Sequence, residues 1–208
     1  MPIVAIVVGA LAQAFVWRLV ARDRLPFWPT VTTTFAVLGL VSLVVGEPSC
    51  CRETTTAEAS AIGAASGLLL FGATRVVIDL ATRHDVLRRS VAAVYRREEE
   101  ASTLTVAVLT LAIVVPGEEL FWRGLVLPEL GAATSVALGA MLAWAARLAV
   151  DAAWGSIPLL AGAVVGGALW TGLAVWSEGV ASPIASHLVW TGLMLVWPPR
   201  AARGKVRL

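Results

Sequence analysis

The chain has 208 residues, of which 58% are hydrophobic and only 14% are charged. Soluble domains carry about 25% charged residues, so this composition, with a mean hydropathy of +0.82, indicates a membrane protein. The formal net charge is only +2, which gives no support for a nucleic-acid partner. The two cysteines, Cys50 and Cys51, are adjacent and too few for a disulfide framework, so we assign them no chemistry.

About seven stretches are long and apolar enough to span a bilayer, which takes about 20 apolar residues. In chain order they are Pro2–Val20, Trp28–Val45, Ala57–Ala81, Leu104–Leu127, Ala132–Trp154, Ile157–Trp176 and Ala181–Trp197. We therefore predict an all-α membrane protein, a multi-pass helical bundle of about seven transmembrane helices. No basic segment precedes the first stretch, so we interpret it as a retained helix and not as a cleaved signal peptide.

The basic residues predict the orientation of the bundle, because positive charge collects on the cytoplasmic side of a membrane. One side would receive Arg18, Arg22, Arg24, Arg75, Arg83, Arg88, Arg89, Arg96, Arg97, Arg200, Arg203, Lys205 and Arg207. The opposite side would receive Arg52. We expect the N-terminus and both cysteines outside the plasma membrane and the C-terminus in the cytoplasm.

The segment after the third span has an amphipathic pattern. Leu87, Val91 and Val94 are spaced for one helix face, with arginines around them. This pattern favours a helix on the inner membrane surface, and a solvated connector is the alternative.

Two pairs of small residues predict close helix contacts. Gly63 and Gly67 form one pair, and Gly162 and Gly166 form the other. Such spacings let helices approach closely, and we expect packing inside the bundle in preference to dimerisation.

Six ionisable residues fall inside the last four predicted spans. They are Glu118, Glu119, Arg123, Arg147, Asp151 and His187. Each costs at least about 2.5–3.5 kcal/mol within a membrane and normally faces the bundle interior with a partner. We therefore expect these residues to form one network.

Two adjacent glutamates form the densest part of this set. Glu119 and Arg123 are one turn apart and can pair on one helix face, whereas Glu118 points about 100° away and can face another helix. A buried carboxylate without a partner on its own helix suits a general base. Pro116 and Gly117 lie just before the glutamates and can bend the helix there.

The depths of these groups follow from the helix rise of about 1.5 Å per residue. Glu118 lies about 14 Å, and His187 about 9 Å, from the outer ends of their helices, so they can meet across the bundle. Arg147 lies about 18–22 Å from the outer end of its helix, which is a turn or two deeper than Glu118 and His187. It can approach these two groups, or it can pair with Asp151 one turn along its own helix.

Two segments resemble the CAAX prenyl protease 2 and abortive-infection (CPBP) family. The stretch from Glu118 to Arg123 matches that family's Glu-Glu-x-x-x-Arg motif, and the stretch from Pro183 to His187 resembles its final histidine motif. The resemblance covers about residues 104–199. It divides the chain into N-terminal helices with a cytoplasmic connector (1–103), a protease-like core of four helices (104–199) and a basic tail (200–208).

The resemblance implies an intramembrane endopeptidase of the glutamate type. In such an enzyme Glu118 would activate the attacking water, and Glu119 and Arg123 would shape the site and bind the substrate. His187 would help to stabilise the oxyanion. The expected substrate is a membrane-associated peptide or protein, and membrane lipids would surround the bundle.

The middle motif departs from the family pattern. The family has Phe-x-x-x-His, but here Ala143 and Arg147 fill these positions, or Trp144 and Leu148 if the register shifts by one residue. An arginine is a permanent cation and cannot act as a base. The only other histidine, His84, falls in the predicted cytoplasmic segment.

The last motif also departs, because Thr191 falls where the family has asparagine or aspartate. Its hydroxyl can donate one hydrogen bond or simply pack between helices. The family is sometimes described as metal-dependent, but one histidine with carboxylates is a poor zinc ligand set. We therefore expect no metal and no other cofactor.

Three functions remain open from the sequence. The first is an active intramembrane protease, and the second is a non-catalytic relative that binds a partner in immunity or regulation. The third is a transporter or proton relay built on the buried charges, although the absence of a clear internal repeat weakens it. The helix count and the arginine-rich composition favour a bacterial source.

Overall fold

The computed structural model describes residues 2–48, 55–96 and 102–200, and this part of the chain contains helices and no strands. The helices are α1 Pro2–Ala21, α2 Phe27–Val45, α3 Thr56–Ala81, α4 Asp85–Arg96, α5 103–133, α6 Val136–Ala152, α7 Ile157–Ser177 and α8 Ala181–Val196. The predicted all-α, multi-pass membrane fold is confirmed. Cys50, Cys51, Arg97 and residues 201–208 lie outside the described residues, so the expectations for them stay predictions.

Each of the seven predicted spans is helical over most of its length. Five helices are long and apolar enough to cross a membrane: α1, α2, α3, α5 and α7. The other two, α6 and α8, are shorter at 17 and 16 residues. The number of spans therefore stays approximate at seven.

The fourth helix, α5, is longer than predicted and is not uniformly α-helical. Two π-helical segments, Thr110–Val114 and Leu120–Val126, interrupt it. Each is followed within two residues by a proline, Pro116 or Pro128, which has no N–H for the normal α-helical hydrogen bond. The wider turns accommodate the prolines, so the helix continues past the predicted end at Leu127 to Ala133.

Helix α5 lies at the centre of the bundle, where it contacts α2, α6 and α8. Gly117 makes the closest of these approaches, because its Cα faces the backbone carbonyl of Phe35 and the backbone of Gly39 on α2. A side chain at position 117 would overlap that carbonyl. The glycine therefore lets α2 and α5 pack backbone to backbone beside the two adjacent glutamates.

The two glycine pairs have different environments. Gly63 and Gly67 on α3 lie directly against the backbone carbonyls of Ser182 and Ser186 on α8, as predicted for a close contact. A Cβ at Gly162 would meet no atom of the described residues within 4 Å, and the nearest neighbours of Gly166 belong to Trp170 on its own helix. The prediction of close helix packing is therefore confirmed for the first pair and wrong for the second.

The predicted amphipathic segment forms α4, which packs against α7. Val91, on its apolar face, is buried, so this face is covered by protein. Arg88 and Asp85 form an exposed ion pair of 2.6 Å on the polar face. Amphipathicity in α4 thus reflects contact with the bundle, whereas its position relative to a membrane stays a prediction.

Candidate active site

The six ionisable residues predicted to form a network are all buried, and each contacts at least one other member. They are Glu118, Glu119 and Arg123 on α5, Arg147 and Asp151 on α6, and His187 on α8. We call this set the charge network. Their meeting follows from the cost of leaving a charge unpaired in an apolar bundle.

Glu119 lies at the centre of the charge network and is completely buried. Its Oε1 atom is 3.4 Å from Nη1 of Arg123, one turn along α5, and 2.7 Å from Nδ1 of His187. Oε2 has no hydrogen-bond partner among the described residues. Glu119 therefore connects α5 to α8. His187 and Glu118 do approach each other, with ligand atoms within 4.8 Å, but the hydrogen bond of the imidazole is to the neighbouring Glu119.

Glu118 faces a different helix from Glu119, as the 100° offset allows, and that helix is α6. Its Oε1 atom accepts a hydrogen bond of 2.9 Å from Nη2 of Arg147 and lies 3.9 Å from Nη1 of Arg123. The Glu118 side chain is 10% exposed, compared with 0% for that of Glu119. Glu118 is therefore the more accessible of the two carboxylates, and it does have a cationic partner on another helix.

Arg147 bridges two carboxylates. Besides Glu118, it contacts Asp151 with Nη1 3.0 Å from Oδ1, in an ion pair whose angle is not that of a hydrogen bond. The sequence left open whether Arg147 approaches Glu118 or pairs with Asp151, and the structure shows both. A long arginine side chain can reach charges a turn away from its own Cα, which removes the apparent difference in depth.

The burial pattern of α6 bears on the two possible registers of the middle motif. Ala143 and Arg147 lie on the buried face of α6. Trp144 is partly exposed, and its indole donates to the carbonyl of Val164 at 3.2 Å. Leu148 is also partly exposed. The buried face therefore favours the register with Arg147 at the histidine of the family motif, and this correspondence stays a prediction.

Two residues of α1 that the sequence interpretation missed also contact the site. The indole of Trp17 donates to Oδ1 of Asp151 at 3.2 Å. Gln13, one turn earlier, is fully buried and accepts from the indole of Trp122 at 3.2 Å. A glutamine inside an apolar helix, one turn from a tryptophan, is the signal that would have identified this face of α1.

Trp170 on α7 forms a wall of the site. Its ring stacks on the His187 imidazole with centroids 3.6 Å apart and 15° between the planes. The Arg123 guanidinium lies 5.8 Å from the centre of the same ring, and its Nη2 donates to the carbonyl of Gly167 at 3.3 Å. All four helices of the predicted core thus contribute to the site.

Thr191 lies one turn after His187 on α8. Its hydroxyl is buried and has no hydrogen-bond partner among the described residues. The side chain thus makes no polar contact with the charge network there, which favours a packing role.

The ligand atoms of Glu118, Glu119 and His187 lie within 4.8 Å of one another, close enough to be considered as a metal centre. The same carboxylate oxygens already contact guanidinium groups: Arg147 at 2.9 Å from Glu118, and Arg123 at 3.4 Å from Glu119. Two fixed positive charges beside the oxygens oppose a divalent cation. The donor set in this arrangement does not fit a metal.

These features define the class of the protein: a multi-pass helical membrane protein with a buried polar site on its last four helices. Residues 100–193, which carry the site, match the family of Rce1-like type II CAAX prenyl endopeptidases. The resemblance seen in the motifs is confirmed by this match, which covers a little less than half of the chain. We found no match among curated proteins or solved structures.

Proposed function

We propose that the chain is an intramembrane endopeptidase in which Glu118 activates the attacking water. The observation that carries the proposal is the buried contact between the two adjacent glutamates, Arg123 and His187. This contact lies in the part of the chain that matches a protease family. Within that family match, the sequence motif and the spatial cluster involve the same side chains.

Glu118 suits the role of general base better than Glu119 does. Water must reach the base, and only the Glu118 side chain retains some exposure. Arg147 and Arg123 contact its Oε1 atom, and no contact engages Oε2 among the described residues. Glu119 is fully buried between Arg123 and His187, so we assign it the role of holding these two groups.

The proposed reaction starts when the Glu118 carboxylate takes a proton from water and the resulting hydroxide attacks the peptide carbonyl carbon. The carbonyl π electrons move to oxygen and form a tetrahedral oxyanion. When the C–N bond breaks, protonated Glu118 returns the proton to the leaving amine. The base is thereby regenerated, and a carboxylic acid and an amine are the products.

Arg123 and His187 are the proposed oxyanion donors. A carboxylate only accepts hydrogen bonds, so the Nδ1–H of His187 donates to Glu119. The Nε2 atom of that ring then donates to an oxyanion only when the imidazole is doubly protonated. An imidazolium would also balance the charge network, which contains three carboxylates and two guanidiniums.

We propose a peptide or protein already at the membrane as the substrate, because the site lies among apolar helices. We further propose a bacterial plasma membrane, with the N-terminus outside and the C-terminus in the cytoplasm. Trp17, near the end of α1, contacts Asp151, near the end of α6, so these two helix ends lie on the same side of the bundle, as the proposal requires. Both helix ends are predicted to be cytoplasmic.

A non-catalytic family member is the alternative, and the ion pair between Arg147 and Glu118 favours it. At 2.9 Å the guanidinium neutralises the proposed base, where the family motif has a histidine. Such a protein would retain the bundle and bind a membrane peptide or partner protein in immunity or regulation without cutting it.

Protein termini in membranes of cells that carry the wild type or Glu118→Gln, at matched expression, distinguish these functions. Glu129→Gln is the control, because it makes the same change on the same helix outside the charge network. We expect termini that occur with the wild type and with Glu129→Gln but not with Glu118→Gln. Identical termini in all three samples, with each protein accumulating in the membrane, would exclude catalysis by Glu118 and leave the binding function.

A further inference from the structure

The Arg147 guanidinium lies between two carboxylates, with Glu118 on one side at 2.9 Å and Asp151 on the other at 3.0 Å. Its charge is permanent at any physiological pH. It therefore places a fixed cation next to the more accessible glutamate of the site.

We propose that Arg147 is a positioning residue and the internal counter-cation of Glu118, and that it excludes a divalent metal ion from the site. Its action on catalysis rests on the proposed protease function. The counter-cation and metal-exclusion parts do not, because they concern the charge network itself.

The surroundings of Arg147 fix the guanidinium from several sides. Asp151 is itself held by the indole N–H of Trp17 on α1, at 3.2 Å. The rings of Trp122 and Phe35 lie 5.6 Å and 5.9 Å from the guanidinium carbon, which is within range of a cation–π contact. Four helices thus determine where the positive charge is, and Glu118 is oriented by it.

Without this guanidinium the same site resembles a metal centre. Glu118, Glu119 and His187 already bring three ligand atoms within 4.8 Å of one another. A histidine at position 147 would remove the positive charge and add a nitrogen ligand on the helix face that contacts Glu118. Two histidines with two carboxylates form a reasonable zinc ligand set.

Zinc binding tests the exclusion directly, with Zn²⁺ alone as the probe. Wild type, Glu118→Gln, Arg147→His and the double variant Arg147→His/Glu118→Gln are purified in detergent, incubated with zinc and desalted. Zinc content and the unfolding temperature are then measured. Arg22→His is the control, because it is the same substitution at an exposed position outside the site, directly after the end of α1.

We expect no retained zinc in the wild type or in Arg22→His. We expect about one zinc per chain in Arg147→His, with an increased unfolding temperature that is lost in the double variant. Stoichiometric zinc in the wild type that Glu118→Gln abolishes would overturn the proposal. A folded Arg147→His that retains no zinc would also overturn it.

A double-mutant cycle keeps the proposal testable if Arg147→His does not fold. Glu118→Gln, Arg147→Gln and the double variant are compared by thermal unfolding. Arg147→Gln leaves the buried Glu118 carboxylate without its partner at 2.9 Å, and the double variant removes that carboxylate charge as well. We therefore expect the double variant to unfold at a higher temperature than Arg147→Gln alone. Strictly additive losses would show that the two residues are not coupled and would overturn the proposal.

Cleavage kinetics, with a substrate found among the wild-type termini, test the positioning role. Arg147→Lys keeps the positive charge but not the planar fork, and we expect it to retain more activity than Arg147→Gln. The loss should fall on kcat with KM unchanged, and a loss confined to KM would contradict positioning. If the wild type cuts nothing, the proposed function fails, while the zinc and unfolding results still decide the counter-cation role.

Discussion

The charge network and the contact between α3 and α8 hold the same bundle together by different physical means. In the charge network, buried side chains of opposite charge need one another at distances of 2.7–3.9 Å. In the α3–α8 seam, which consists of Gly63, Gly67, Ser182 and Ser186, backbone meets backbone because two side chains are missing. Ser186 immediately precedes His187, so the seam also sets where the histidine enters the network.

The difference lies in how each region tolerates change. A residue of the charge network can be replaced with little loss only if its partner changes too, because a lone buried charge is the costly state. A seam residue has no chemical partner, and its tolerance depends on volume alone. The first region is therefore tested by charge and the second by size.

The largest effect is expected for loss of a buried guanidinium. Arg123→Gln removes the cation that contacts both glutamates and the Gly167 carbonyl, and should lower the free energy of unfolding by about 3–5 kcal/mol. Arg88→Gln is the matched control: its ion pair with Asp85 is more than half exposed, so solvent screening leaves a cost of about 0–1 kcal/mol. Reversible unfolding in mixed micelles measures both, and equal losses would contradict the role given to burial.

The next effect tests the seam by size. Gly63→Val places a side chain on the Ser182 carbonyl, so α8 must shift, and we expect a loss of about 3 kcal/mol. Gly162→Val makes the same change at a position where a Cβ atom would have no neighbour within 4 Å among the described residues. The stability of this variant should stay close to that of the wild type. If Gly162→Val were the more damaging variant, the contact assigned to each glycine pair would be wrong.

A smaller effect separates charged from neutral hydrogen-bond acceptors. Trp17→Phe loses the bond to the Asp151 carboxylate, which should cost about 2 kcal/mol. Trp122→Phe loses a bond to the Gln13 amide oxygen, which should cost about 1 kcal/mol. Both indoles are buried, so the unfolding free energies of the two variants compare the two acceptors. If Trp122→Phe were the more destabilising variant, the bond from Trp17 to Asp151 would not help to hold Arg147 in place.

The sequence was a good guide to the helices and to the membership of the charge network. Helix lengths follow from bilayer thickness, and six costly charges inside apolar helices have to find one another. Both arguments depend on energies of several kcal/mol, which leave few alternatives. The family motifs then indicated which helices carry the site.

The partners within the network were harder to predict, and α5 shows why. Glu118 and Glu119 lie in a short α-helical segment, Val115–Glu119, between two π-helical segments. The spacing of about 3.6 residues per turn does not hold across the π-helical segments, so the faces before and after them are not in one register. A helical wheel drawn through them cannot say which neighbouring helix each carboxylate meets. Long side chains add further freedom, and Arg147 accordingly reaches Glu118 and Asp151 at once.

The smallest expected effect concerns Thr191, which separates the network from ordinary helix packing. Its buried hydroxyl has no partner in the described part of the chain, so Thr191→Val removes an unsatisfied polar group and keeps nearly the same shape. We expect no loss in the free energy of unfolding, a gain of less than about 1 kcal/mol, and cleavage equal to that of the wild type. A large loss of cleavage with stability unchanged would instead mean that the hydroxyl contacts the substrate, and would place Thr191 in the site beside His187.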